Sequence, residues 1–120
     1  MIHGESLSRG EIWWAQFGIS FGSEAGYRRP VLIVQDDSFN ESRIRTVVVV
    51  PLTTNLRLAE APGNVFLGKK ESKLSDDSAI IVTQLYALDR DRFIEKIAKL
   101  NKETMEKVEN GITLVLGIKH

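Results

Sequence analysis

Short apolar runs rich in β-branched residues, separated by turn residues, most constrain how this chain folds. Such runs are typical of buried strands, and residues 31–34 (VLIV) and 47–50 (VVVV) are the clearest of them. The pattern predicts five strands, over residues 11–17, 31–35, 46–53, 64–67 and 79–85. Pro51 cannot donate a hydrogen bond to a β-ladder, so we expect the third strand to end or bulge there.

The C-terminal part of the chain favours a helix. Asn101 is a credible N-cap, and Glu103 suits the positive end of the helix dipole. Apolar residues then recur at three-four spacing, at Met105, Val108, Ile112, Val115 and Leu116. Gly111 weakens such a helix by about 1 kcal/mol relative to alanine, so we expect packing to hold it. Residues 92–100 fit a helical stripe or, less cleanly, strand alternation.

Many strands and one helix predict an α+β fold that is mainly β: a small SH3-like barrel or curved antiparallel sheet with a C-terminal helix. A chain of 120 residues is expected to form one domain, over 1–120, with 1–8 as a flexible N-terminal extension. The sequence has no cysteine, no apolar run of bilayer length and no signal-peptide pattern. These features predict a cytoplasmic protein.

A long loop is predicted between the first two strands, over residues 18–28, and loops of this length are often functional. Its glycines allow backbone angles that other residues resist. Pro30 then biases Arg29 towards an extended conformation. A mobile loop thus leads to the charged guanidinium of Arg29 at the rim of a rigid sheet. The forked N–H donors of a guanidinium are well suited to holding a phosphate.

The end of the third strand supplies hydroxyl groups, on Thr53 and Thr54. If the second and third strands share a sheet, Arg29 and Thr53 reach the same rim, where together they could donate three hydrogen bonds to a phosphodiester. This predicts Arg29 and Thr53 as a catalytic pair. The alternative is structural: Arg29 pairs with Glu24 or Asp36, and Thr53 caps a turn.

Other familiar catalytic sets are missing from the sequence. His3 and His120 lie at opposite ends of the chain, which argues against a two-histidine ribonuclease. The pairs at 36–37 and 76–77 (both Asp-Asp) could bind a metal, although turn or helix-start roles are favoured. The formal net charge is zero, so any nucleic-acid contact must be local rather than that of a dedicated duplex-DNA binder.

Several blocks, in this order, resemble the MazF/PemK family of toxin endoribonucleases. They are RGEIW at 9–13, GSE at 22–24 continuing to RPVLIVQ at 29–35, VPLTT at 50–54, DS at 77–78 continuing to QL at 84–85, and DRDRF at 89–93. Together they span residues 9 to about 116, and the ordered set is more specific than any one block.

The resemblance implies a barrel-like sheet with a C-terminal helix, a strand over residues 92–100, and a homodimer. It implies that Arg29 and Thr53 are catalytic, that Glu24 lies near the site and that Gln84 lies near the RNA path. The implied reaction is metal-independent cleavage of single-stranded mRNA by the 2′-hydroxyl, which leaves a 2′,3′-cyclic phosphate and a 5′-hydroxyl and needs no cofactor. The implied partners are single-stranded RNA and an antitoxin whose acidic, disordered tail occupies the RNA groove.

The chain departs from the family at residues 18–21 (GISF), where many relatives have an early proline. Phe21 and Tyr27 could stack on splayed bases beside Arg28 and Thr54, which we expect to contact RNA, or they could pack on a partner chain. Trp13, Trp14 and the C-terminal helix are candidates for the dimer face.

Two other functions stay open. A gyrase-poisoning toxin would share the fold, but such toxins lack the arginine–threonine pair and use a tryptophan near the C-terminus, which is absent here. The second is a β-barrel interaction module without enzymatic activity, in which Arg29 is only a surface charge.

Overall fold

A computed structural model describes residues 6–17 and 27–119. Its strands are β1 (Glu11–Phe17), β2 (Tyr27–Ile33), β3 (Thr46–Thr53), β4 (Val65–Leu67), β5 (Ser78–Ile80), β6 (Tyr86–Asp89) and β7 (Phe93–Lys99). Its helices are α1 (Asp37–Asn40), α2 (Lys69–Ser72) and α3 (Lys102–Leu116). Short 3₁₀ turns lie at Leu56–Glu60, Val82–Gln84 and Arg90–Arg92.

The strands form one curled antiparallel sheet, and α3 follows it at the C-terminal end. The strand order is β4-β5-β3-β2-β1-β7, and β6 pairs with the first part of β3. The expected fold class, a curved antiparallel sheet with a C-terminal helix, is therefore confirmed. Among the described residues, no helix is both long and apolar enough to cross a bilayer.

Side chains alternate between the two faces of the sheet and build two cores. The helix-side core holds Ile12, Leu32, Val50, Leu52, Met105 and Val108 among others. The far-side core holds Leu7, Trp13, Val31, Ile33, Val49 and Phe93 among others. The first strand thus contributes side chains to both cores. Leu7, which was expected in a flexible extension, is only 3 % exposed; residues 1–5 lie outside the described part of the chain.

The prediction that the third strand ends or bulges at Pro51 is wrong, because β3 continues to Thr53. The partner of β3 changes at this point instead. Before Pro51 it pairs with β6, and after Pro51 with β5. The Pro51 carbonyl accepts a hydrogen bond from the N–H of Ile81 (2.9 Å), and a residue's N–H and C=O point to the same neighbour in an antiparallel strand. The missing N–H of Pro51 therefore faces the gap between β6 and β5.

Two predicted strands differ from the structure by more than one residue. The second begins earlier, at Tyr27, and ends at Ile33, because the N–H groups of Val34 and Gln35 both bond the single carbonyl of Val48 (3.1 and 3.2 Å). The strand predicted over 79–85 is the shorter β5 followed by a 3₁₀ turn, and β6 was missed. Residues 93–99 form β7, so the interpretation of this segment taken from the family resemblance is confirmed.

The C-terminal helix agrees with the sequence pattern at its beginning. The Asn101 side chain accepts a hydrogen bond from the Thr104 N–H (2.8 Å), so Asn101 is the N-cap. Met105 and Val108 are buried, but Val115 and Leu116 at the other end are exposed. Met105, Val108 and the partly buried Ile112 therefore pack on the helix-side core, whereas the end of the stripe is exposed.

Candidate active site

The pairing of β2 with β3 brings Arg29 and Thr53 to neighbouring positions. The antiparallel register matches Val31 with Pro51, and Arg29 and Thr53 lie two residues beyond this pair on their respective strands. A shift of two residues keeps a side chain on the same face of a sheet. Arg29 and Thr53 therefore share a face at the strand ends, as the sequence led us to expect.

A pocket of about 310 Å³ opens at these strand ends. Its lining comes from β1, β2, the end of β3 with the residue that follows it, and the segment that leads into β5. The lining residues are Trp14, Tyr27, Arg28, Arg29, Pro30, Leu52, Thr53, Thr54, Leu74, Ser75, Asp76 and Ser78. Five of the eight site residues predicted from sequence, Tyr27, Arg28, Arg29, Thr53 and Thr54, thus line one pocket.

The guanidinium of Arg29 is not engaged by a carboxylate of the described residues within 4 Å. Its central carbon lies 5.8 Å from the centre of the Tyr27 ring. Asp36, one structural partner considered from sequence, instead accepts hydrogen bonds from the backbone N–H (3.0 Å) and hydroxyl (2.6 Å) of Ser38, which lower its pKa. The other partner, Glu24, lies outside the described residues. Among the described residues, no carboxylate therefore competes with an anionic ligand for Arg29.

Thr53 combines a turn contact with spare donor capacity. Its hydroxyl oxygen accepts a hydrogen bond from the backbone N–H of Asn55 (3.2 Å), so the turn role considered from sequence is present. A hydroxyl can accept and donate at once, and no described residue accepts a hydrogen bond from this O–H. The two interpretations of Thr53 are therefore compatible.

Arg28 is turned towards β1 and β7. Its guanidinium carbon lies 5.6 Å from the centre of the Trp14 ring, and its Nη2 is 4.0 Å from an oxygen of Glu95. Glu95 lies on β7, a strand that the sequence alone does not bring near β2. Arg28 is therefore partly committed to the fold, unlike Arg29.

Aromatic rings lie beside Arg29. Tyr27 is 60 % exposed, and its ring centre is 6.2 Å from that of Phe17, which is in turn 5.6 Å from the ring of Tyr86. The Tyr86 hydroxyl is buried without a hydrogen-bond partner among the described residues. Burial raises the pKa of Tyr86 to about 12, and the charge of Arg29 opposes this shift. Sequence reasoning missed Tyr86, since no spacing connects it to β2.

The other predicted contacts lie elsewhere. Gln84 is exposed on the 3₁₀ turn Val82–Gln84 and is not among the described residues that line the pocket. Phe21 and Glu24 lie outside the described part of the chain.

The acidic pairs have the turn roles that the sequence favours. Asp36 caps α1, and an oxygen of Asp77 accepts a hydrogen bond from the N–H of Lys69 at the start of α2 (2.9 Å). Over residues 6–17 and 27–119, no three His, Cys, Asp or Glu side chains are grouped so that they could hold a metal ion.

Sequence reasoning missed the contribution to the pocket of the segment that leads into β5. β3 pairs with β5 through Leu52 with Ile80 and Thr53 with Ala79. This ladder carries the preceding residues, from Leu74 to Ser78, to the side of Thr53. The only sequence signal was the Asp-Asp pair at 76–77, which local reasoning assigned to a turn.

Comparison with known proteins gives one consistent result. Residues 8–116 match the family of PemK-like, MazF-like toxins of type II toxin-antitoxin systems. The chain is 38 % identical over 112 residues to endoribonuclease MazF2 of Mycobacterium bovis and, equally, to endoribonuclease MazF6 of Mycobacterium tuberculosis, covering 93 % of this chain and 98 % of each relative.

Solved structures agree in fold. An endoribonuclease in complex with its cognate antitoxin, from a mycobacterial species, superposes with a TM-score of 0.78 at 23 % identity over 96 % of this chain and 99 % of that one. A MazE–MazF complex from Deinococcus radiodurans gives the same TM-score at 22 % identity, with the same coverage.

Proposed function

The chain belongs to the PemK-like, MazF-like toxins of type II toxin-antitoxin systems, and we propose that it cleaves single-stranded mRNA without a metal ion at the Arg29–Thr53 pocket. The relatives that are 38 % identical in sequence are endoribonucleases. Membership of this family therefore supports endoribonuclease activity. The single observation that carries the choice of site is that β2 and β3 bring Arg29 and Thr53 to one pocket.

The proposed reaction is an internal transfer at phosphorus. The 2′-oxygen of one nucleotide forms a bond to its own 3′-phosphorus while the bond from phosphorus to the 5′-oxygen of the next nucleotide breaks. The proton leaves the 2′-hydroxyl, and the departing 5′-oxygen gains one. The products are a 2′,3′-cyclic phosphate and a 5′-hydroxyl end.

Arg29 and Thr53 would act on the charge that develops at phosphorus. A guanidinium stays charged at any working pH, so Arg29 serves as an electrostatic stabiliser and not as the base. Its two parallel N–H groups suit two phosphate oxygens, and the Thr53 hydroxyl adds one donor. Fixed donors aimed at developing charge contribute much of the rate in many enzymes.

Replacing Arg29 by alanine tests the proposal directly. We expect the wild-type chain to cleave single-stranded RNA in EDTA, and Arg29→Ala to be slower by about a hundredfold or more, the loss typical of one missing stabilising donor. Arg43→Ala is the matched control, because Arg43 is exposed and is not among the described residues that line the pocket. Cleavage rates on one labelled RNA measure all three proteins.

The chemistry of the ends completes this test. A 2′-deoxynucleotide at the cleaved position should block the reaction, and the new 5′ ends should accept phosphate from a kinase without prior treatment. Equal rates for Arg29→Ala and the wild type would remove Arg29 from the mechanism. A wild-type chain that cleaves no RNA but poisons gyrase would favour the related toxin class, and neither activity would favour an interaction module.

Thr53→Val separates the hydroxyl from its side-chain shape. The variant should fold, because the hydrogen bond that Thr53 accepts from Asn55 lies in an exposed turn, and it should cleave about tenfold or more slowly because one donor is lost. Thermal unfolding and RNA cleavage are measured on the same preparation. If the variant unfolds, the hydroxyl is structural.

Two assemblies belong to this proposal. An antitoxin with an acidic, disordered tail would place carboxylates against Arg29 and so exclude RNA; the similar structures from mycobacteria and Deinococcus radiodurans hold such toxins with their antitoxins.

A homodimer would cover the exposed apolar side chains at the end of α3, among them Leu114 and Leu116. Trp13, considered from sequence for the dimer face, is 1 % exposed and cannot contribute.

A further inference from the structure

The pocket lined by Arg29 and Thr53 is also lined by an acidic residue. Asp76 is exposed and lines the pocket together with Ser75 and Ser78. Asp76 lies three residues before Ala79, which is matched with Thr53, so the segment that carries it runs beside the end of β3. A carboxylate repels phosphate, so Asp76 suits a different part of a bound nucleotide from Arg29.

The segment that carries Asp76 is held firmly at both sides. Leu74 packs against the helix-side core, and the Asp77 carboxylate accepts a hydrogen bond from the Lys69 N–H (2.9 Å). Ser78 is 2 % exposed, and its hydroxyl donates to the carbonyl of Asp76 (3.4 Å). The backbone at Asp76 is therefore positioned, as recognition of a ligand requires.

The carboxylate itself has unused acceptor capacity. It accepts one hydrogen bond, from the Ser75 hydroxyl to Oδ2 (3.3 Å), and no Lys, Arg or His of the described residues pairs with it within 4 Å. An ionised carboxylate has about four acceptor positions and no donor. Asp76 thus presents acceptors to the pocket.

We propose that Asp76 selects the nucleobase next to the cleaved phosphate, favouring bases that carry an amino group over uracil. This inference rests on the proposed function and adds a specificity-determining residue to it. The phosphate lies against Arg29 and Thr53, and the base lies across the pocket with its Watson–Crick edge towards Asp76.

The chemistry of base edges explains the direction of the preference. Cytosine and adenine each offer an N–H₂ donor on this edge, and guanine offers two adjacent donors that fit both carboxylate oxygens. Uracil offers one N–H group flanked by two carbonyl oxygens, and a carboxylate repels these oxygens. Carboxylates are established acceptors for a base amino group, and one good contact changes discrimination by about tenfold or more.

Asp76→Asn tests this inference, because an amide can both donate and accept. It can bond the uracil edge, with its N–H₂ on a carbonyl oxygen and its oxygen on the ring N–H. We expect sequencing of cleaved random RNA to show, for the wild type, one position where uracil is disfavoured by about tenfold or more. In Asp76→Asn, uracil at that position should be cleaved at a rate close to that of the other bases.

Glu106→Gln is the control, since it removes a carboxylate from an exposed position on α3 and should leave the base preference unchanged. A general charge effect would alter cleavage of all sequences alike. The inference is overturned if Asp76→Asn cleaves RNA with the wild-type preference at every position, or changes all sequences uniformly. If the wild type cleaves no RNA, the proposed function itself has failed.

Discussion

At the scale of single residues, Tyr86 is the group whose surroundings fit its chemistry least. Its hydroxyl is buried without a hydrogen-bond partner among the described residues, and its ring packs against Phe17. A buried polar group without a partner loses its bonds to water and gains nothing in return. Packing of its ring therefore keeps Tyr86 in place, although burial of its hydroxyl is unfavourable.

Removing this hydroxyl should change how stability depends on pH. Burial raises the pKa of Tyr86 to about 12, above the value of about 10 expected in the unfolded chain. The stabilisation linked to the protonated form is complete below pH 10 and is lost as pH rises towards 12. Tyr86→Phe should therefore lose less unfolding free energy between pH 9 and pH 11.5 than the wild type, as measured by urea denaturation.

At neutral pH the same substitution should be neutral or stabilising by up to about 1 kcal/mol, because an unsatisfied group is removed while the ring stays. A destabilised variant at pH 7 would mean that the hydroxyl has a partner in solution. Identical losses for the two proteins at high pH would contradict the assigned pKa.

At the scale of elements, α3 packs closely against the turn before β4, and a glycine lies on each side of this contact. A Cβ atom built on Gly111 would overlap the carbonyl oxygen of Gly63 and lie 3.2 Å from Cγ2 of Val82. Gly63 itself has a φ of +90°, which side-chain-bearing residues rarely adopt. Helix propensity alone disfavours Gly111, and close packing against the turn explains its presence.

Gly111→Ala should therefore destabilise the protein although alanine is the better helix former. The gain in propensity is about 1 kcal/mol, whereas forcing a methyl group into a filled contact costs about 1–3 kcal/mol or more. We expect the variant to unfold at a lower temperature. Asn110→Ala, at an exposed position of the same helix, should be neutral or slightly stabilising. A stabilised Gly111→Ala would show that α3 does not lie close to Gly63.

At the scale of the whole molecule, the charges balance. The chain carries 16 Lys and Arg and 16 Asp and Glu, and its formal net charge is zero. Such a protein has no general attraction for a polyanion. RNA binding must then come from a few local contacts, and the pocket offers Arg28 and Arg29.

The salt dependence of RNA binding should reflect this balance. For a single strand, the logarithm of the binding constant falls by about 0.7 per neutralised phosphate for each tenfold rise in salt. Two phosphate contacts predict a slope of roughly −1.4, measured by fluorescence anisotropy with an RNA that carries a 2′-deoxynucleotide at the cleaved position. Arg29→Ala should reduce the slope by about 0.7, and Arg43→Ala should not change it. A slope steeper than about −4 would indicate a diffuse basic surface instead.

Local sequence patterns were enough for features that depend on near neighbours in the chain. The bounds of β1 and β3 and the N-cap at Asn101 follow from side-chain type and spacing. The position of Arg29 before Pro30 and of Thr53 at a strand end was also visible in the sequence. Their assembly into one pocket followed only under the assumption that β2 and β3 are neighbours, which the structure bears out.

Features that depend on residues distant in the chain required the fold. Three such features arise from strand pairings: the exchange of β6 for β5 at Pro51, the engagement of Arg28 with Trp14 and Glu95, and the presence of Asp76 in the same pocket as Arg29. The register of a strand pair depends on which side chains are buried on each face of the sheet. A local sequence pattern does not contain this information. The sequence therefore identifies the candidate chemical groups individually. The strand pairings of the curled sheet determine which of them line the same pocket.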